Sequence, residues 1–152
     1  MDNKIRLYLD TSVISALFDY RNPERQSLTE NFFNELYNFS IYVSVITLAE
    51  VDKTPDEELR EQMEEVMMGH IVLSLTDDIV ILVNEYIKFK AVPKKHEGDA
   101  FHIALATMNK MDYLLSWNFK HLLRQKTREI VNMVNTINNL KKIEIITPAE
   151  IL

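Results

Sequence analysis

Hydrophobic positions along the chain switch repeatedly between a period of two and a period near four, and each switch marks a new element. Residues 5–9 (IRLYL) predict a strand that stops at Asp10-Thr11-Ser12, a helix start. Pro23 opens a helical pattern over 23–39, with Leu28, Phe32, Phe33, Leu36 and Phe39 as its apolar stripe. Residues 41–46 (IYVSVI) predict a second strand, followed at once by a helix start at Thr47-Leu48-Ala49-Glu50. Residues 55–68 open with proline and carboxylates and stop at Gly69, as a helix should. A third strand is predicted over 71–75, and Thr76-Asp77-Asp78 caps a helix that runs to about Lys90. After a break at 91–95, residues 98–106 read as an apolar helix with Asp99 in its first turn. Residues 113–117 (YLLSW) predict a fourth strand ending at Asn118, 120–140 a polar helix, and 143–146 a short fifth strand before a Pro148 tail.

Strands alternating with helices imply an α/β architecture, a mainly parallel sheet of about five strands with helices on both faces, in one domain over 1–152. In such sheets ligands bind outside the carboxyl ends of the strands. Asp10 follows the first strand, Glu50 the second and Asn118 the fourth, while Asp99 begins the helix leading into the fourth. Each acid has an ordinary structural explanation. Asp10 suits an N-cap, Glu50 completes a capping box with Thr47, and Asp99 in a first turn is favoured by the helix dipole. Capping does not explain why acids should gather at one edge, where like charges repel and raise one another's pKa.

Composition narrows the chemistry. The chain has 152 residues, no cysteine and two glycines, Gly69 and Gly98. That excludes disulfides, thiolate zinc sites, cysteine nucleophiles and glycine-rich phosphate loops. No apolar run approaches the roughly 18 residues of a membrane span. The first twenty residues, interrupted by Asp10 and Asp19, do not read as a leader. A cytoplasmic protein with no membrane partner is therefore expected. The net charge of −6 argues against general polyanion binding unless a metal or a local basic surface intervenes. A set of carboxylates suits the hard cations Mg²⁺ or Mn²⁺, and the four histidines (His70, His96, His102, His121) form no zinc motif in sequence.

Four strings then carry a resemblance: Leu9-Asp10-Thr11-Ser12-Val13-Ile14, Thr47-Leu48-Ala49-Glu50-Val51, 98–106 (GDAFHIALA) and 114–122 (LLSWNFKHL). In this order and at these separations they resemble the successive motifs of the PIN domain family. The resemblance implies a three-layer α/β/α sandwich and an Mg²⁺- or Mn²⁺-dependent ribonuclease. In many small bacterial and archaeal members, it is the VapC-like toxin of a toxin–antitoxin pair. It makes Asp10, Glu50 and Asp99 the metal-binding acids. The fourth polar position falls on Asn118, where many relatives have Asp, and Asn118 and Ser116 are read as orienting a water or a phosphate. RNA, a cognate antitoxin and a second copy of the chain are the implied partners, and the stripe over 23–39 is either core or a dimer face. Lys94, Lys95, His102, Lys120 and Arg124 are candidate substrate contacts, with His121, Lys126 and Arg128 in the same basic segments. Trp117 is expected in the core rather than stacked on a base, and Glu57, Glu58, Glu61, Glu64 and Glu65 on a solvated face or a partner surface. Two rivals remain: a catalytically weak PIN-like module that binds RNA or protein, and a phosphatase with Asp10 as nucleophile, which lacks the second acid because position 12 is Ser12.

Overall fold

The computed structural model describes residues 3–152; the first two residues of the expected domain lie outside it. Five strands, β1 (Ile5–Leu9), β2 (Phe39–Ser44), β3 (Ile71–Leu73), β4 (Tyr113–Leu115) and β5 (Glu144–Ile146), form one parallel sheet in the order β3-β2-β1-β4-β5. Side chains alternate across it, as the two-residue pleat requires. Leu7, Leu9, Ile41, Val43 and Leu115 enter one core, while Tyr8, Leu114 and Ile145 enter the other.

The first core is closed by α1 (Thr11–Ala16), α2 (Pro23–Phe33), α3 (Val45–Asp52), α4 (Glu57–Met67) and the short α8 (Pro148–Ile151). The second is closed by α5 (Asp77–Lys88), α6 (Glu97–Met108) and α7 (Gln125–Ile137). Tyr86 ties that layer together, its hydroxyl donating to Asn135 Oδ1 at 2.5 Å and reaching Thr107 Oγ1 at 3.3 Å. The result is the expected three-layer sandwich. Winding goes outward from β1 through β2 to β3, then returns to β4 on the other side of β1. The strand order therefore reverses between β1 and β4, and the crevice at their carboxyl ends is where an open α/β sheet binds ligands.

Several boundaries differ from expectation. The helix begun at Pro23 ends at Phe33; a 3-10 turn (Leu36–Asn38) follows, and Phe39 already pairs with Ile5. Leu28, Phe32, Phe33, Leu36 and Phe39 nonetheless share one core, so the periodicity reports a buried face that two elements and a turn build together. That face packs against the core of its own chain, with Phe32 buried and the other four partly buried. β2 stops at Ser44, whose hydroxyl accepts from the amides of Ile46 and Thr47 while Thr47 Oγ1 accepts from Ser44 N–H. The capping box is thus Ser44 with Thr47, and Val45 and Ile46 are helical despite their strand propensity. β3, β4 and β5 are each three residues long, α7 starts only at Gln125, and the Pro148 tail is α8, capped by Thr147 and Glu150 and packed on α2. The acids of α4 face solvent, as expected.

Candidate active site at the carboxyl edge

Asp10 is the first residue past β1 and caps α1, its Oδ1 accepting from Val13 N–H at 3.3 Å. Capping is only part of its surroundings. Ser12 Oγ donates to Oδ1 at 2.5 Å, and Ser116 Oγ, just past β4, donates to Oδ2 at 2.6 Å. Each serine in turn accepts from the β4 side, Ser12 from Trp117 N–H at 2.8 Å and Ser116 from Asn118 N–H at 2.9 Å. Both hydroxyls are thereby locked as donors to the carboxylate. Burial raises the Asp10 pKa, and the field of His102 with the bonds from Ser116, Ser12 and Val13 oppose the rise.

Glu50 sits in the last turn of α3, away from any N-terminus, so its capping-box explanation fails. Its Oε1 accepts from Thr11 Oγ1 at 2.7 Å and from His102 Nε2 at 2.5 Å. Burial raises the Glu50 pKa, but the His102 bond and charge with the Thr11 bond outweigh it and hold the group below its ordinary value. Beside Oε2 stands Gly98, where a Cβ would lie 3.4 Å from that oxygen. The glycine leaves room at the carboxylate oxygen that no other side chain engages.

His102 is 2% exposed, with both ring nitrogens bonded inside the chain: Nε2 to Glu50, and Nδ1 to Tyr8 Oη at 2.6 Å. Tyr8 Oη also bonds Ser44 Oγ at 2.7 Å. Ser44 Oγ accepts from two amides and directs its proton to Tyr8; when the ring is neutral, Tyr8 donates to Nδ1 and the ring hydrogen sits on Nε2 toward Glu50. Burial lowers the His102 pKa, while Glu50, Asp10 and Asp99 raise it further, so the net direction is upward. The substrate contact expected of His102 finds no open ring nitrogen: the ring is buried and bonds Glu50 and Tyr8.

Asp99, in the first turn of α6, has its pKa pushed up to about 6, by burial first and then by the charges of Asp10 and Glu50, with His102 and His96 opposing. The three acids share one electrostatic neighbourhood. They do not form a tight ligand shell; the one group of three such side chains with donor atoms within 4.8 Å of one another among the described residues is His96, Asp99 and His121. Sequence reasoning missed His96, which ends a 3-10 turn (Lys94–His96) just before Asp99. Its i, i+3 spacing to Asp99 was the available signal; nothing in sequence joins either residue to His121.

Asn118 closes the turn after β4: its backbone carbonyl accepts from Leu123 N–H and its Oδ1 from His121 N–H at 3.0 Å. The amide is thereby oriented with Nδ2 left as a donor, which suits a phosphate oxygen better than a cation. Lys95, Lys120 and Arg124 gather around His121, whose pKa is lowered by partial burial and then by His96, Lys120, Arg124 and Lys95. Lys94 is exposed on the same turn as Lys95. Arg128 departs from this group and lines a groove between α7 and β5. Trp117 is buried, as expected, its Nε1 donating to Thr29 Oγ1 at 2.9 Å.

The PIN domain profile matches residues 7–118, which include Asp10, Glu50, Asp99 and Asn118. The chain belongs to the PIN domain family. Among solved structures, this PIN domain is similar to VapBC2 from Rickettsia felis bound to a DNA fragment from their promoter (TM-score 0.59, 14% identity, 91% of this chain and 96% of that chain). It is also similar to VapC20 of Mycobacterium tuberculosis, a sarcin-ricin loop cleaving toxin (TM-score 0.56, 12% identity, 75% of this chain and 91% of that chain). At these identities the likeness shows the fold. No curated protein matches the chain. No helix among the described residues is long and apolar enough to cross a membrane.

Proposed function

We propose that this PIN domain is a metal-dependent endoribonuclease, with Mg²⁺ or Mn²⁺ held by Asp10, Glu50 and Asp99, and that it acts as the toxin of a toxin–antitoxin pair. The observation that carries the reading is the gathering of three carboxylates at the β1/β4 crevice, where burial first and the charges of Asp10 and Glu50 second lift Asp99 to about 6. A hard divalent cation relieves that repulsion, and the all-oxygen donors suit one, with both Glu50 hydrogen bonds on Oε1 and Oε2 left as a ligand atom. Such an ion, when bound, draws phosphate oxygens and lowers the pKa of a water.

The chain's own residues have definite tasks in this reading. Ser12, Ser116 and the Val13 amide hold Asp10 as a fixed carboxylate, and the Ser44–Tyr8–His102 relay with Thr11 fixes Glu50. Asn118 Nδ2 offers a donor to a phosphate oxygen. Lys95, Lys120 and Arg124, with the exposed Lys94 beside them, supply the local positive surface that an acidic chain needs to hold RNA. The fold shared with VapC20 and VapBC2 supports a toxin and a small antitoxin partner; the dimer expectation has no support from the stripe over 23–39. The aspartyl-phosphate rival loses ground because Asp10 is 3% exposed with both oxygens hydrogen-bonded. The weak-module rival keeps one point in its favour, the uncharged Asn118.

The test is cleavage of mixed single-stranded RNA by purified protein in EDTA, Mg²⁺ or Mn²⁺, beside Asp10→Asn from the same preparation. Cutting that needs metal and is lost in the variant is the expected result. Cutting in EDTA, or equal cutting by the variant, overturns the assignment.

A further inference from the structure

His96, Asp99 and His121 stand out because two imidazoles and a carboxylate converge where the acid centre needs only Asp99. Donor atoms of all three lie within 4.8 Å of one another, and the two rings lie 4.2 Å apart between centroids with planes inclined by 34°. An ion at about 2.0–2.2 Å from tetrahedrally arranged donors sets them about 3.4 Å apart, so inward side-chain rotations are needed to close the set.

The backbone holds both histidines from opposite sides. His96 N–H bonds Pro93 O at 2.9 Å at the end of its 3-10 turn, and His121 N–H bonds Asn118 Oδ1 at 3.0 Å in the turn after β4. Both rings are partly exposed, and no ring nitrogen of either has a protein hydrogen bond, in contrast to His102, whose two nitrogens are both engaged. We propose that His96, Asp99 and His121 form a binding site for one borderline divalent transition-metal ion, with zinc as the best fit.

The donor set decides the class of ion. Two imidazole nitrogens and one carboxylate oxygen suit Zn²⁺, Co²⁺ or Ni²⁺ and leave positions open for water, whereas Mg²⁺ prefers oxygen. The surrounding charges point the same way. Lys95, Lys120 and Arg124 repel a cation held by charge alone, which disfavours Mg²⁺ more than an ion bonded through nitrogen lone pairs. The site shares Asp99 with the acid centre but stands on its own geometry, and its test uses no RNA and does not depend on the nuclease reading.

Untagged full-length protein, stripped of metal, is titrated with Co²⁺ in excess Mg²⁺ and followed by the visible Co²⁺ absorption, with Zn²⁺ competition as a second reading. Expected are one Co²⁺ per chain displaced by Zn²⁺, affinity lowered about tenfold or more in both His96→Asn and His121→Gln, and affinity retained in Glu50→Gln. Circular dichroism checks that each variant is folded, and His96→Asn, on a partly exposed turn, remains informative if the other is not. Absence of Co²⁺ binding by the wild type, or wild-type affinity in the folded histidine variants, overturns the proposal.

Discussion

Replacing Asp99 with Asn tests whether the folded site opposes ionisation of that carboxyl, through burial first and the Asp10 and Glu50 charges second. Lifting a carboxyl from its ordinary 3.8 to about 6 corresponds to roughly 3 kcal/mol against its ionised form. Asp99 is partly exposed, so screening by solvent reduces this to about 1.5 kcal/mol. The substitution also removes a carboxylate from the first turn of α6, at a cost of about 0.5 kcal/mol. The metal-free variant should therefore be more stable than wild type by about 1 kcal/mol at pH 8, a rise in Tm of about 2–4 °C for a chain of this size. The sign follows from the direction of the shift. Because the folded protein holds the Asp99 proton more tightly than the unfolded chain, stability falls as pH rises from about 4 to beyond 6. The advantage of the variant is absent below pH 4 and complete above the folded pKa. Urea denaturation at pH 4 and pH 8 in EDTA measures it, and Mn²⁺ should reverse the order by stabilising wild type alone. A variant that is no more stable at pH 8 than at pH 4, relative to wild type, would refute the raised Asp99 pKa.

Tyr8→Phe removes the hydroxyl between Ser44 and His102 and should cost about 1–3 kcal/mol in urea denaturation; a neutral result would show that the relay does not hold His102. Ser116→Ala strips one donor from the buried Asp10 carboxylate, so its pKa should rise further and the acid limb of the RNA cleavage profile should move to higher pH; an unmoved limb argues against Asp10 as the titrating group. Thr29→Val leaves the indole N–H of Trp117, the single tryptophan, without its acceptor and should destabilise by about 1–3 kcal/mol. Tryptophan fluorescence during denaturation reads this directly, and an unchanged midpoint would show that the bond contributes nothing.

What the sequence by itself determined is local. Alternation at 5–9 and helical periods at 77–88 are properties of neighbouring residues, and Asp10, Glu50 and Asp99 could be ordered along one edge because parallel strands deliver their carboxyl ends together. Even locally, competing preferences misled it: the run at 41–46 favours strand, yet the Ser44 hydroxyl and the Thr47 box turn the chain into a helix two residues early. Tertiary structure alone decided which groups bond. Ser116 meets Asp10 across 106 positions, and His102 meets Glu50 across 52 and Tyr8 across 94, pairings fixed by the register of β1 against β4 and the seat of α6 on the sheet. The same docking separates two histidines that look alike in sequence. His102 is sealed in the core with both nitrogens satisfied, while His121 stands beside His96 and Asp99 with its ring nitrogens unbonded, because burial and partners are set by the packing of distant segments and not by the residues on either side.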